Sequence, residues 1–342
     1  MRILLIMDPG ISVPPPFYGG HERLVYMFAE EYHKLGHEVS LLAGPDSLIS
    51  GTVYQFGIND LSRSKWQKTK ELLYAWKFLF KNRKDFDLVH NFGRLAYLLP
   101  ILNFSIKKIM TYGRRIDSNN INRINKLPSK HLKFTAPSYD CISTSGGVGD
   151  WTRVYNAIDF SKYDLAASVA EDAPLIFLSR LDKVKGCHIA IEVAKATGHR
   201  LIIAGNVSNQ ESELSYFKKE IEPHIDGERI SYVGPVNDEE KNLYLGMAKA
   251  MLFPIDVQEA FGMVMAESMA CGTPVIGFRK GAVPEVIVEN VTGFVVNNKT
   301  EMILALDKIH EIDRTACRAS AINRFDTSVV TNDYLKLFRN DK

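Results

Sequence analysis

The stretch Pro254-Ile255-Asp256-Val257-Gln258-Glu259-Ala260-Phe261-Gly262-Met263-Val264-Met265-Ala266-Glu267-Ser268-Met269-Ala270-Cys271-Gly272-Thr273-Pro274-Val275 places two carboxylates on either side of a glycine that opens an apolar helical run. With a helix over 262–270, Glu259 belongs to the preceding loop. Glu267 then lies about 7.5 Å along the axis, at ~1.5 Å per residue. Side chains on a helix lean toward its N-terminus, so Glu267 points back at the loop of Glu259 and both acids face one cleft. The helix start also leaves the amides of Phe261, Gly262 and Met263 without intrahelical partners, at the positive end of the macrodipole, where a phosphate fits. Val264, Met265, Ala266, Met269 and Ala270 offer little polar face, so Glu267 is a poorly hydrated charge. Two acids around an anion-binding helix start describe a sugar-nucleotide site, with one acid for a sugar and one for a ribose. A loop acid followed by a solvated helix acid is the plainer reading.

Outward from this segment, short apolar runs alternate with helical patterns, the signature of parallel βαβ units and an α/β fold. Strands are expected over 2–7, 38–43, 88–90, 108–111, 175–178, 200–204, 230–233, 250–253 and 275–277. Helices are expected over 21–35, 65–80, 187–197, 212–224, 239–247 and 262–270. The pattern divides into two Rossmann-like domains, 1–157 with a returning helix at about 326–342, and 158–325. A ligand in such a protein belongs between the carboxyl edges of the two sheets.

The chain has 342 residues, 46% apolar and 24% charged, which is room for two globular domains. Its net charge of +2 conceals an asymmetry, since residues 1–157 hold 21 Lys and Arg against 13 Asp and Glu. A basic first half suits an anionic partner such as a lipid surface or a phosphorylated acceptor. Nucleic acid is not expected, because aromatic platforms interleaved with base-reading residues are missing. The cysteines Cys141, Cys187, Cys271 and Cys317 lie far apart without a metal or CxxC spacing and read as reduced thiols of a cytosolic protein. The apolar opening Ile3-Leu4-Leu5-Ile6-Met7 stops at Asp8, too soon for a signal peptide, and no apolar window reaches the roughly 18 residues of a membrane span. The expected location is cytoplasmic, with peripheral attachment at the inner face of the membrane.

Further groups point to the same cleft. Arg180 and Lys185 follow the strand over 175–178, and two cations there neutralise a diphosphate as it leaves, unless Arg180 pairs locally with Asp182. Gly19 and Gly20 stand at the mouth of the first long helix, where glycine lets a backbone approach an anion closely. His90 ends its strand and is expected to reach a sugar hydroxyl in the cleft, the alternative being a satisfied structural histidine. Asp85-Phe86-Asp87 precedes its strand and reads as a solvated turn rather than a metal site, and no metal is expected. Residues 65–84 mix Lys65, Lys68, Lys70, Lys77, Lys81, Arg83 and Lys84 with Trp66, Tyr74, Trp76, Phe78 and Phe80. Such a helix either lies on anionic headgroups or packs its aromatics on the sheet. A second basic patch runs from Arg114-Arg115 through Arg123, Lys126, Lys130 and Lys133. Ser145-Gly146-Gly147-Val148-Gly149 lacks the third glycine of a dinucleotide fingerprint and reads as a turn.

Together these residues resemble the retaining glycosyltransferases of family 4, glycosyl transferases group 1, which have the GT-B fold of two Rossmann-like domains facing each other across a cleft. The resemblance covers nearly the whole chain. It rests on Tyr18-Gly19-Gly20, Lys34-Leu35-Gly36-His37-Glu38-Val39, Asp87-Leu88-Val89-His90, Asn156-Ala157-Ile158-Asp159, Ser179-Arg180-Leu181 with Lys185-Gly186, the Glu259/Glu267 segment, Gly281-Ala282-Val283-Pro284-Glu285 and Thr292-Gly293-Phe294-Val295.

The resemblance implies transfer of a sugar from a UDP-, GDP- or ADP-sugar to a sugar, lipid-linked or small-molecule acceptor hydroxyl. Anomeric configuration is retained and no metal or other cofactor is obligatory; glycan, glycolipid or cell-envelope polysaccharide synthesis is the setting. It implies that Arg180 and Lys185 bind the donor diphosphate, Glu267 the ribose and Glu259 the sugar hydroxyls. Phe261, Gly262 and Met263 would present amides, Gly19 and Gly20 would approach the phosphates or the acceptor, and Val233-Gly234-Pro235-Val236 would face the base. The departing phosphate takes the acceptor proton, so the catalytic set is Glu259, Arg180, Lys185 and His90 without a separate base. Many members carry a histidine in the segment that reads Met110-Thr111-Tyr112-Gly113-Arg114-Arg115 here. This chain has Tyr112-Gly113, so His90 or a neighbour compensates, the donor contacts differ, or activity is reduced. A non-catalytic sugar-nucleotide-binding protein and a sugar-nucleotide epimerase of GT-B type are the alternatives.

Overall fold

The computed structural model describes residues 1–16 and 19–338. Phe17 and Tyr18, the latter from the Tyr18-Gly19-Gly20 motif, and the end of the expected C-terminal helix at 339–342 lie outside the described residues. The chain divides into two compact units, Met1–Ala157 with the segment from Thr327 onward, and Ile158–Asp326.

The first unit is built on a seven-stranded parallel sheet: β1 (Arg2–Ile6), β2 (Glu38–Ala43), β3 (Thr52–Gln55), β4 (Leu88–Asn91), β5 (Lys107–Thr111), β6 (Leu132–Ala136) and β7 (Trp151–Arg153). Its order is β3-β2-β1-β4-β5-β6-β7. Ile3, Leu4, Leu5 and Ile6 are all fully buried, because helices cover both faces of a parallel sheet and every position of a central strand must be apolar. Ile3 pairs with Val39 on one side and Leu88 on the other. Leu4 and Ile6 share a core with Leu42, Val89, Met110 and Phe134 and with Ala75 and Leu79 of the helix Lys65–Asn82. That helix starts in a capping box: Ser64 Oγ accepts from the Gln67 amide at 3.2 Å and Gln67 Oε1 from the Ser64 amide at 2.8 Å. The helix Gly20–Lys34 buries Leu24, Val25, Phe28, Ala29 and Tyr32, one face at helical spacing. The C-terminal helix Thr327–Lys336 packs beside it, with Tyr334 edge-on to Phe28 at 5.2 Å between ring centroids.

The second unit has six parallel strands, β8 (Leu175–Leu178), β9 (Leu201–Ala204), β10 (Ile230–Gly234), β11 (Ala250–Phe253), β12 (Val275–Phe278) and β13 (Gly293–Val296), in the order β10-β9-β8-β11-β12-β13. Its helices include Cys187–Thr197, Asp238–Met247, Met263–Ala270, Lys299–Asp307 and Arg314–Phe325. In each unit the strand order reverses beside the first strand, between β1 and β4 and between β8 and β11. Loops leaving the carboxyl ends of those strands diverge and leave a crevice.

Strands β3, β6, β7 and β13 and the helices Ser118–Asn125, Lys299–Asp307 and Arg314–Phe325 were not expected from the sequence. β3 is an edge strand, mostly exposed, and β7 is a three-residue edge, so neither needs an apolar run. The Arg314–Phe325 helix looks polar in sequence because its anchor is a buried arginine. Arg314 donates to the carbonyls of Ala166 at 2.6 Å, Ala248 at 2.9 Å and Gly246 at 3.0 Å. Among the described residues no helix is long and apolar enough to cross a membrane.

A second buried charge holds the first unit. Glu71, only 3% exposed, stands 2.8 Å from Arg63 Nε and 2.5 Å from Arg94 Nη2. The Arg63 contact is close in distance but off line for a hydrogen bond. Removing the carboxylate leaves guanidinium charge without its counterion in a dry site. Glu71→Ala is therefore expected to destabilise the protein by about 3 kcal/mol in chemical denaturation, with Glu71→Gln losing less. A loss under roughly 0.5 kcal/mol, the range of an exposed pair, would contradict the burial argument.

Candidate active site

The crevice of the second unit opens between β8 and β11. The chain leaves β8 through Ser179-Arg180-Leu181-Asp182, makes a tight turn at Lys183–Lys185 and passes Gly186 into the helix Cys187–Thr197. Gly186 sits in the left-handed region at φ 79°, and a Cβ there would stand 2.2 Å from the Pro254 carbonyl oxygen. Only glycine lets this turn lie against the end of β11. The contact is closed by the Asp256 amide donating to the Val184 carbonyl at 2.8 Å. It sets Lys185 Nζ 2.8 Å from Glu259 Oε2, both side chains about one-fifth exposed. Arg180 hangs from the same loop, half-exposed, and pairs with Asp182 at 2.5 Å.

Gly262 caps the helix Met263–Ala270 at φ 77°, so the helix begins one residue later than the sequence pattern suggests. Phe261 turns its ring inward against Phe325, 5.3 Å between centroids. Among the described residues the amides of Gly262 and Met263 make no hydrogen bond, as expected for the first turn of a helix. The loop carrying Glu259 is braced from its other side. The Ala282 amide donates to the Glu259 carbonyl at 2.8 Å, and Gly281 at φ +54° comes so near that a Cβ would lie 2.3 Å from both the nitrogen and the oxygen of Glu259.

Glu267 is buried and has a partner that sequence spacing did not reveal. Lys241 Nζ, from the helix Asp238–Met247, donates to its Oε1 at 2.7 Å. The Tyr163 hydroxyl donates to the same carboxylate; burial raises the Tyr163 pKa, and the nearby negative charge raises it further. Lys241 and Tyr163 sit 26 and 104 positions before Glu267 in a chain whose local pattern gives no hint of the contact. The two acids thus hold separate cations, Lys185 for Glu259 and Lys241 for Glu267. Val233 and Val236 are half-buried around the left-handed Gly234 where β10 ends. The Gly205 amide donates to the Gly234 carbonyl at 2.8 Å, which ties that loop to the end of β9.

In the first unit, Gly19 precedes the helix Gly20–Lys34 and leaves no room for a side chain: a Cβ would lie 2.8 Å from Pro15 Cβ and 2.9 Å from Glu22 Oε2. Burial, with Asp8 adding repulsion, raises the Glu22 carboxyl above the usual range. Asp8, just beyond β1, accepts from Arg94 Nε at 3.1 Å and from the Tyr97 hydroxyl at 2.6 Å across the β1/β4 reversal. His90 corrects the expectation placed on it. Its ring is fully buried inside this unit, with Nδ1 3.3 Å from the Tyr32 hydroxyl, Nε2 2.8 Å from Thr111 Oγ1, and the faces against Phe92 and Tyr334. Both nitrogens are occupied by protein, so it reaches no sugar hydroxyl; β4 runs one residue further, to Asn91, and His90 faces the core. Asp87 pairs with Arg2 at 2.8 Å, in keeping with a turn. Among the described residues no cluster of three His, Cys, Asp or Glu has metal-holding geometry.

Residues 166–323, nearly all of the second unit, match the family model of glycosyl transferases group 1. The chain is 28% identical over 334 residues to a lipopolysaccharide 1,2-N-acetylglucosaminetransferase of Salmonella typhimurium, spanning 86% of this chain and 84% of that one. It is similar in structure to a glycosyltransferase from Rickettsia africae ESF-5, with a TM-score of 0.79 at 18% identity, covering 99% of this chain and 97% of the other. It is also similar to HepE of Anabaena, solved with UDP-glucose, with a TM-score of 0.73 at 16% identity over 98% of each chain. The two parallel sheets with their helices are those of the GT-B glycosyltransferases.

Burial holds His90 neutral, its pKa lowered from 6.5 to about 3. Between those values the unfolded chain binds a proton that the folded chain does not, so stability falls as pH drops from 6.5 toward 3. The slope from one such group is about 1.4 kcal/mol per pH unit. His90→Gln is expected to flatten the pH dependence of the unfolding free energy on the acid side of pH 6.5; an unaltered slope would show that the histidine is not its source.

Proposed function

We propose that the chain is a member of the glycosyl transferases group 1, whose family model matches residues 166–323, and that it transfers a sugar from a UDP-sugar to an acceptor hydroxyl with retention at the anomeric carbon. The observation that carries this reading is the Lys185–Glu259 pair at the strand-order reversal of the second sheet, beside the glycine-capped start of the helix Met263–Ala270. In the free protein the cations stand on internal carboxylates, Lys185 on Glu259 and Arg180 on Asp182. A donor diphosphate competes for both cations and for the amides of Gly262 and Met263. Once Lys185 turns to phosphate, Glu259 is free to accept from hydroxyls of the donor sugar. Glu267, steadied by Lys241 and Tyr163, accepts from the ribose hydroxyls, and Val233 and Val236 flank the base.

In the reaction the bond from the anomeric carbon to the diphosphate oxygen breaks, its electron pair leaving with phosphate. The acceptor oxygen bonds to the same face of that carbon and its proton passes to the departing phosphate oxygen. Negative charge grows on the leaving group, where Arg180, Lys185 and the helix start oppose it, so these groups bind the transition state more strongly than the ground state. No protein base is required and no metal is invoked. With His90 buried, the catalytic set reduces to Arg180, Lys185 and Glu259.

The exposed face of the helix Lys65–Asn82 favours an acceptor at a lipid surface. Trp66, Lys70, Leu73, Lys77, Phe80 and Lys81 fall within one stripe about 100° wide. Trp66, Leu73 and Phe80 are each more than half exposed, and Lys70 Nζ lies 5.1 Å from the Trp66 ring centroid. The helix's acid, Glu71, is turned inward to Arg63 and Arg94, which leaves the outer face cationic and apolar. That is the composition that seats a helix among anionic headgroups.

Transfer or slow hydrolysis is expected with a UDP-sugar when UDP-, GDP- and ADP-sugars are compared. Lys185→Ala and Glu259→Ala should each lower turnover by roughly 100-fold. Tight donor binding with neither transfer nor hydrolysis would make the chain a binding protein instead, and isomerised donor without acceptor would make it an epimerase. Vesicles containing phosphatidylglycerol should retain the protein and shift Trp66 emission to the blue. Phosphatidylcholine alone should not, and Lys70→Glu with Lys77→Glu should abolish the effect; equal binding to both compositions would remove the lipid-surface reading.

A further inference from the structure

The loop after β5 has no side chain at Gly113, and the vacancy is filled from another element. A Cβ built on Gly113 would stand 1.8 Å from His21 Nε2, 2.5 Å from its Cε1 and 2.8 Å from its Cδ2. The Gly113 backbone lies outside the left-handed region, so it would accept a side chain readily, and the imidazole is what excludes one. His21 is the second residue of the helix Gly20–Lys34 and is half-buried. Asp8, following β1, and Arg114, next to Gly113, are the charges that act on it. Burial, with Arg114 adding to it and Asp8 opposing, lowers its pKa from the ordinary value and keeps the ring neutral.

The contrast with His90 is informative. His90 has both nitrogens bonded to protein hydroxyls and belongs to the core. Among the described residues the ring nitrogens of His21 make no hydrogen bond. The ring also stands at the carboxyl edge of the first sheet, among the loops that follow β1 and β5, where ligands of parallel sheets bind. A neutral imidazole offers one donor and one acceptor, a match for a hydroxyl.

We propose that His21, seated in the space that Gly113 leaves open, hydrogen-bonds a hydroxyl of the donor sugar or the acceptor, and that the glycine and the histidine act as one unit. This rests on the glycosyltransferase reading, since it takes the ligand to be a sugar.

The test uses the full chain with the UDP-sugar that it turns over. His21→Ala should lower kcat/KM about tenfold, the worth of one well-placed hydrogen bond, while calorimetric affinity for UDP alone stays unchanged. Gly113→Ala keeps the imidazole but displaces it and should cost a similar factor. The double variant with His21→Ala and Gly113→His should regain most of the loss, because a ring enters the same space from the opposite side. Weaker binding of the UDP-sugar assigns the contact to the donor; a raised KM for the acceptor alone assigns it to the acceptor. Normal kcat/KM in His21→Ala, or losses shared equally by UDP affinity and melting temperature, would overturn the proposal. A wild-type protein that binds neither UDP nor any UDP-sugar would instead defeat the glycosyltransferase reading, and this inference with it.

Discussion

Parallel strands joined by covering helices all end on the same edge, and the reversal of strand order beside the first strand is the constraint on which both units depend. The central strands β8 and β11 are apolar throughout, and β1 is so from Ile3 on, so the polar chemistry beside them sits in the loops that leave them. Lys185 and Glu259 are 74 positions apart yet form a 2.8 Å pair because β8 and β11 are neighbours. Asp8 and Arg94, 86 positions apart, meet at the corresponding place in the first sheet because β1 and β4 are neighbours. The charge order is opposite: the first strand of one unit delivers an acid and the first strand of the other a base.

Glycines give the loops the clearance that such meetings require. Gly186 lets the loop after β8 touch the end of β11, and Gly281 lets the loop after β12 brace Glu259 from behind. Both lie at positive φ with backbone atoms of the neighbouring loop where a side chain would start. Gly113 differs in kind, since its neighbour is a side chain and its backbone is ordinary. Fixing Glu259 from two directions before any donor arrives reduces the ordering that binding would otherwise have to impose.

The buried charges divide by what holds them. Arg314 is satisfied by backbone carbonyls and joins segments of the second unit, whereas Glu71 is held by the charge of two guanidinium groups, hydrogen-bonded to that of Arg94, and joins the Lys65–Asn82 helix to the loop after β4. Lys185 and Arg180 differ from both, because each is partly open and each rests on a single carboxylate that an incoming anion can replace. A partly exposed cation with one exchangeable partner suits a ligand site, while a dry one with several fixed partners suits a core.

The sequence by itself determined the α/β class, the cores of most strands and helices, and the loops that carry Arg180, Lys185, Glu259 and the Gly262 helix start. Apolar runs, helical periods and glycine placement are local properties, set by burial on both faces of a sheet and by the few conformations open to a backbone. Tertiary structure decided which partner each charge takes and which way each side chain turns. Lys241 and Tyr163 reach Glu267 from distant segments, His90 near the end of its strand faces the core, and His21 occupies a space whose only sign in the sequence is a missing side chain at Gly113. Those outcomes depend on which strands lie side by side and on the room between their loops, and neither quantity is written in the spacing of residues along the chain.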